Sequence, residues 1–183
     1  MIPSTINLPT TREDHQIARL AALAIGLSVV EAAIPSPIPG IKPGLANIVT
    51  LLVLQCFGWR IAAWVSLLRV VAGSLLLGTF LTPSFVLSFS GAVASLAVLA
   101  LVCHLPGRFF GPVTHSIAAA FAHIAAQLGV VYLWLVPTAG IFVLTPAFAA
   151  AALFFGTING LAAAHLLSET DQPEPLLANP NPQ

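Results

Sequence analysis

Charge is nearly absent from this sequence. Its 183 residues hold six Lys or Arg and six Asp or Glu, 7% of the whole, and the formal net charge is zero. No Lys/Arg cluster exists, which argues against nucleic acid as a partner. Aspartate occurs only at Asp14 and Asp171, both in polar terminal stretches. The clustered aspartates that hold Mg²⁺ on a diphosphate therefore cannot be assembled. HExxH, GxxxxGK[ST] and GxSxG are all missing, so zinc proteolysis, nucleotide hydrolysis and hydrolase chemistry lack their residues. The expectation is a protein that is not an enzyme and uses no metal or cofactor of its own. The two cysteines, Cys56 and Cys103, lie in apolar runs without a CxxC partner and read as small apolar residues.

Apolar residues fill the space that charge leaves. They make up 58% of the chain, and the mean hydropathy of +0.98 marks an integral membrane protein. Residues 1–16 read as a polar cytoplasmic tail and 168–183 as a proline-rich, disordered one. Between them, residues 17–167 are expected to form a single six-helix transmembrane domain, all-α, with spans at Ile17–Ile34, Leu45–Phe57, Ile61–Phe80, Phe85–Leu105, Val113–Val136 and within Ile141–Leu167. Counting basic residues in short loops puts Arg12, Arg19, Arg60 and Arg108 on the cytoplasmic side with both termini, and only Lys42 outside.

The most informative stretch is EAAIPSPIPGIKPGLANIVTLLVL, Glu31 to Leu54, where Pro35, Pro37, Pro39 and Pro43 with Gly40 and Gly44 break an apolar run. Irregular backbone is not tolerated against lipid, so this segment is expected to be buried in protein or to face a water-filled cavity. A proline-rich surface turn is the plainer alternative. The helix that resumes at Leu45 is about 20 Å long against a hydrocarbon core of about 30 Å, so it is expected to start below the outer surface. Its free amides, with Asn47 in the first turn and Lys42 just ahead, would suit an anionic or strongly polar ligand group.

Polar residues inside the spans are few. Arg69 and His123 fall near mid-membrane, Glu31 and Gln127 in the outer half. Ser116, His123 and Gln127 share one face of the fifth helix; Ser66, Arg69 and Gly73 share one face of the third. Those faces are expected to point inward. Arg69 needs a partner or a hydrated cavity, and Glu31 is its best partner; such a pair would either fix packing or serve a ligand. For His123, a hydrogen bond to a neighbour or ligand is preferred over a proton relay or a haem ligand. Glu31, Lys42, Asn47, Arg69, His123 and Gln127 are accordingly the candidate substrate-binding residues. On the first helix, Ala18, Ala22, Gly26 and Ala33 form a small-residue stripe opposite Glu31, suited either to packing inside the bundle or to a partner protein. The line Ala152, Gly156, Gly160 and Ala164 on the sixth helix has the same two readings.

The strings PGIKPGLANIVTLLVL, LRVVAGSLLLGTFLTPSFVLSFSGAVASL and HSIAAAFAHIAAQL resemble the bacterial Gx transporter family, whose members are also labelled heptaprenyl diphosphate synthase component I. The resemblance covers residues 17–167 and rests most on PGxKxGLAN, carried by Pro39, Gly40, Lys42, Gly44, Leu45, Ala46 and Asn47. That family is similar in turn to the substrate-binding S components of energy-coupling-factor transporters. The resemblance implies six helices, a bacterial cytoplasmic membrane and uptake of a vitamin or other micronutrient. It also implies docking of the Ala18, Ala22, Gly26 face on a shared transmembrane coupling protein driven by two ATPases. Two positions depart from the family: Ile124 follows His123 where the family tends to have His-Asn, and Pro43 stands where it tends to have leucine. Two functions follow for comparison, a membrane substrate-binding subunit for uptake of a small polar or anionic solute, and a membrane scaffold or accessory subunit in isoprenoid or quinone metabolism.

Overall fold

The computed structural model describes residues 11–33, 44–104 and 110–170. Six α-helices run in order: α1 Arg12–Ala33, α2 Leu45–Phe57, α3 Trp59–Leu76, α4 Pro83–Val102, α5 Pro112–Val130 and α6 Thr145–Thr170. A π-helical turn, Val131–Leu135, extends α5, and a 3₁₀ segment, Ala139–Leu144, leads into α6. Apart from α2, each is long and apolar enough to cross a membrane, α5 and α6 with these extensions included. The protein is an all-helical, multi-pass membrane bundle.

Local chemistry sets the helix ends. Thr11 and Asp14 form a capping box: the Thr11 amide and hydroxyl each donate to the Asp14 carboxylate at 2.8 Å, and the Asp14 amide donates back to the Thr11 hydroxyl at 3.2 Å. The first helix therefore starts at Arg12, five residues before the apolar run that begins at Ile17, so residues 12–16 of the expected tail are helical. At the other end of the chain α6 runs on to Thr170. The third helix stops at Leu76 rather than Phe80. Gly78 takes φ of 66°, the Thr79 amide donates to the Ser74 carbonyl at 2.8 Å and the Gly78 amide to the Leu75 carbonyl at 3.2 Å, which is a Schellman ending. Pro83 and Pro112 open α4 and α5, where the missing amide hydrogen costs nothing.

The short helix lies inside the bundle. Neighbours run α1 to α3, α3 to α4, α4 to α5 and α5 to α6, while α2 touches α1, α3, α5 and α6. Val49, Leu51, Val53 and Leu54 of α2 form the core with Ala24 of α1, Ala62 and Val65 of α3, Leu99 of α4 and Ala163 of α6. Outside, Leu133, Val143, Leu101 and Leu76 are each more than 70% exposed, a surface suited to lipid. Inside, Glu31, Thr50, Ser66, Ser74, His115, Ser116 and Asn159 are buried. The polarity gradient is thus the reverse of a water-soluble protein's, with the polar groups gathered around α2.

The small-residue lines of the first and last helices have different fates. On α6, Gly156 and Gly160 are pressed against α5, and a Cβ on Gly160 would stand 2.5 Å from Val113 Cα. On α1, Ala21, Ala24 and Glu31 are buried, whereas Ala18, Ala22 and Gly26 are exposed, and a Cβ on Gly26 would meet nothing within 4 Å. Among the described residues, only the α6 line packs within the chain. Gly160→Val should therefore lower bundle stability by about 1–3 kcal/mol through overpacking, seen as a lower unfolding temperature in detergent. Gly26→Val should leave that temperature within a degree or two of the parent; equal losses for the two variants would contradict this assignment.

Candidate functional site

The site is built around the place where α2 begins. Gly44 precedes it with φ of 74°, a left-handed conformation that a side chain would strain, and a Cβ there would stand 3.0 Å from Asn47 Nδ2 and 3.2 Å from Asn159 Nδ2. Three side chains or amides hold this residue. Its amide donates to the Glu31 carboxylate from α1. Its carbonyl accepts from the Asn47 amide at 2.8 Å and from Asn159 Nδ2 of α6 at 3.3 Å. Asn159 stands 14 residues past Thr145, the first residue of α6, or about 21 Å along the helix. The second helix thus starts deep inside the bundle, level with the middle of α6.

Below that start, Arg69 of α3 donates from Nη2 to Asn47 Oδ1 at 3.1 Å. The expected Glu31–Arg69 ion pair is not formed. Glu31 has taken a backbone amide at the positive end of α2 and Arg69 a side-chain amide, and among the described residues the ion pair within 4 Å is the exposed His165–Glu169 contact at 3.4 Å. Glu31 thus takes the amide of Gly44, just ahead of α2. On α5, His123 lies against Gly91 of α4, where a Cβ would stand 2.6 Å from the ring, and its Nδ1 is 3.4 Å from Ser95 Oγ. Ser95 Oγ also donates to the Ala119 carbonyl at 2.9 Å, so α4 and α5 are tied at this level.

These groups face one cavity of about 510 Å³, within the range of small-molecule sites. Glu31, Asn47, Arg69, His123 and Gln127 all line it; Lys42 lies outside the described residues. The two faces picked out by helical spacing, Ser66–Arg69–Gly73 and Ser116–His123–Gln127, both line it as well. Several further polar residues on its wall were missed by sequence reasoning, Thr50 and Asn159 among them. Thr50 follows Asn47 by three residues on the same helix face, a spacing that would have found it. Asn159 is the lone amide side chain of α6, and its intramembrane position was the signal.

The cavity residues all fall within a region that has known relatives. The sequence profile of the heptaprenyl diphosphate synthase component I family matches residues 20–166. The chain belongs to that family. No curated protein and no solved structure matches it. Membership agrees with the resemblance carried by PGxKxGLAN, and the family's name describes one component of a synthase, a subunit with partners. The name assigns no role to Glu31, Arg69 or the cavity.

If the Glu31–Gly44 bond holds the start of α2, Glu31→Ala leaves a buried amide unpaired and should cost about 1–3 kcal/mol of stability. Glu31→Gln keeps a carbonyl acceptor and should lose less than half as much. Unfolding temperatures measured in detergent test this, and equal losses in the two variants would show that the carboxylate's charge, not its bond to Gly44, is what matters.

Proposed function

We propose that this chain is a membrane substrate-capture subunit resembling the S components of energy-coupling-factor transporters, taking up a small polar or anionic micronutrient with energy supplied by partner proteins. The observation that carries the reading is the cavity: polar side chains from all six helices converge on one chamber in a bundle whose outside is apolar. A scaffold needs its polar groups satisfied against one another, whereas here Arg69 Nε, Thr50 Oγ1 and His115 Nε2 are buried without a hydrogen-bond partner among the described residues. In the proposed orientation both termini are cytoplasmic, with Arg12, Arg19 and Arg60 exposed at that side, and the chamber opens to the outside. The exposed Ala18, Ala22, Gly26 face of α1 would let a coupling transmembrane helix approach closely, with two ATPases behind it.

A second reading has the family name in its favour: a membrane accessory subunit of a prenyl diphosphate synthase, without catalytic residues of its own. The two differ in what accompanies the protein. Native mass spectrometry of protein released gently from membranes should find a small solute bound and an ATPase-bearing complex attached. Ala22→Leu and Gly26→Val should each abolish that complex and transport at least tenfold while solute occupancy stays unchanged. Retention of the complex by both variants, or its replacement by a synthase subunit with an empty chamber, would decide against capture.

A further inference from the structure

The antiparallel register of α4 and α5 brings two neutral polar side chains to one level of the chamber. Ser95 Oγ of α4 donates to the Ala119 carbonyl of α5. Four residues toward the Pro83 end of α4 and the Val130 end of α5, Gly91 meets the His123 ring. The next step of the same size takes α4 to Leu87 and α5 to Gln127. Ser88 therefore stands within one residue of the level of Gln127, about 1.5 Å along the helix axes, and one turn beyond His123. Both residues line the chamber and both are half-buried. Neither the Ser88 hydroxyl nor the Gln127 amide has a hydrogen-bond partner among the described residues. Unlike Arg69 Nε and Thr50 Oγ1, which are buried, their polar atoms keep accessible surface. Each can bond a molecule that enters.

Their chemistry sets the class of group they fit. A carboxamide presents an acceptor oxygen and an NH₂ donor side by side, and a hydroxyl both donates and accepts. A carboxylate can only accept and an ammonium only donate, so either would leave half of the Gln127 amide unmatched. Charge points the same way. Among the described residues, Glu31 and Arg69 bring one charge of each sign to the chamber wall. A charged solute would therefore enter without a spare counter-charge, which burial in a membrane makes costly. Resting on the capture reading, we propose that Gln127 and Ser88 form a subsite for an uncharged group with a donor beside an acceptor, such as a carboxamide, a lactam or the edge of a nitrogen heterocycle. The solute as a whole carries no net charge, which narrows the polar or anionic solute of that reading to a neutral one. Phe85 and Phe155, also on the wall, give its apolar part a surface.

Thermal unfolding of the full chain, stripped of lipid in neutral detergent at constant ionic strength, tests this with three probes of one shape: benzamide, sodium benzoate and benzylammonium chloride. Benzamide should raise the unfolding temperature more than either ion does relative to its inorganic salt. Gln127→Leu should remove that rise, and Ser88→Ala should weaken the apparent affinity for benzamide by up to about tenfold, the loss of one hydrogen bond. Without a probe, both variants should unfold no lower than the parent, since neither side chain bonds the bundle. A loss of several degrees in Gln127→Leu, or its failure to fold, would show that the amide holds the fold instead. No rise with benzamide, a rise that survives Gln127→Leu, or a larger rise with benzoate or benzylammonium also overturns the subsite. The solute found on gently released protein separates the two readings. A charged solute overturns the subsite and leaves capture standing, whereas an empty chamber with a synthase subunit attached decides against capture itself.

Discussion

A helix that stops inside a bilayer must give its last free backbone groups a partner other than water, and in this bundle that requirement is met at Gly44. The residue's amide goes to the Glu31 carboxylate and its carbonyl to Asn159 and the Asn47 amide. Three helices are thereby tied at one point: α1 through Glu31, α2 through Gly44 and Asn47, and α6 through Asn159. Gly44 and Asn47, where α2 begins, both line the chamber. Glu31 bonds the Gly44 amide and makes no contact within 4 Å with Arg69. The guanidinium donates to Asn47 instead, and its Nε is buried without a partner among the described residues. One backbone constraint thus joins three helices on the wall of the cavity.

Close packing elsewhere supports that arrangement. Gly156 and Gly160 let α6 lie against α5 at a distance no side chain would permit, which holds Asn159, between them on the same helix, within reach of Gly44. Gly91 lets the His123 ring lie flush with α4. At the opposite end of the core, Gln55 of α2 meets His115 Nδ1 of α5 at 3.2 Å, and the indole of Trp59 donates to the Leu96 carbonyl of α4 at 3.1 Å. These contacts tie α2 to α5 and α3 to α4. Lipid offers no hydrophobic drive to bring helices together, so small residues and interhelical hydrogen bonds carry the association.

Much of this was legible before any coordinates. The bounds of α2 were read without error, since four prolines and two glycines end one apolar run and Phe57-Gly58 ends the next. The inward faces of α3 and α5 were read from heptad-like spacing, because polar residues in an apolar helix have only one place to go. Reading failed where the outcome depended on a competition between partners. Glu31 and Arg69 are the natural pair by charge, yet a backbone amide at a helix end and a side-chain amide won, and nothing in one-dimensional spacing ranks those options. The start of α1 was missed because Thr11 and Asp14 were read as polar tail residues rather than as a capping box. Thr50 was passed over because threonine in an apolar helix usually bonds its own backbone and attracts no attention.

The central claim is that the polar wall encloses a water-filled chamber entered from the end of the bundle where α1 finishes. Labelling by a membrane-impermeant thiol reagent, in a chain with Cys56→Ser and Cys103→Ser, tests it most directly. Ser88→Cys lies on the chamber wall and Leu161→Cys on the exposed, lipid-facing side of α6. With reagent applied to the membrane face opposite the termini, Ser88→Cys should react and Leu161→Cys should not. Failure of Ser88→Cys to react from that face, or equal labelling of the two positions, would contradict the account.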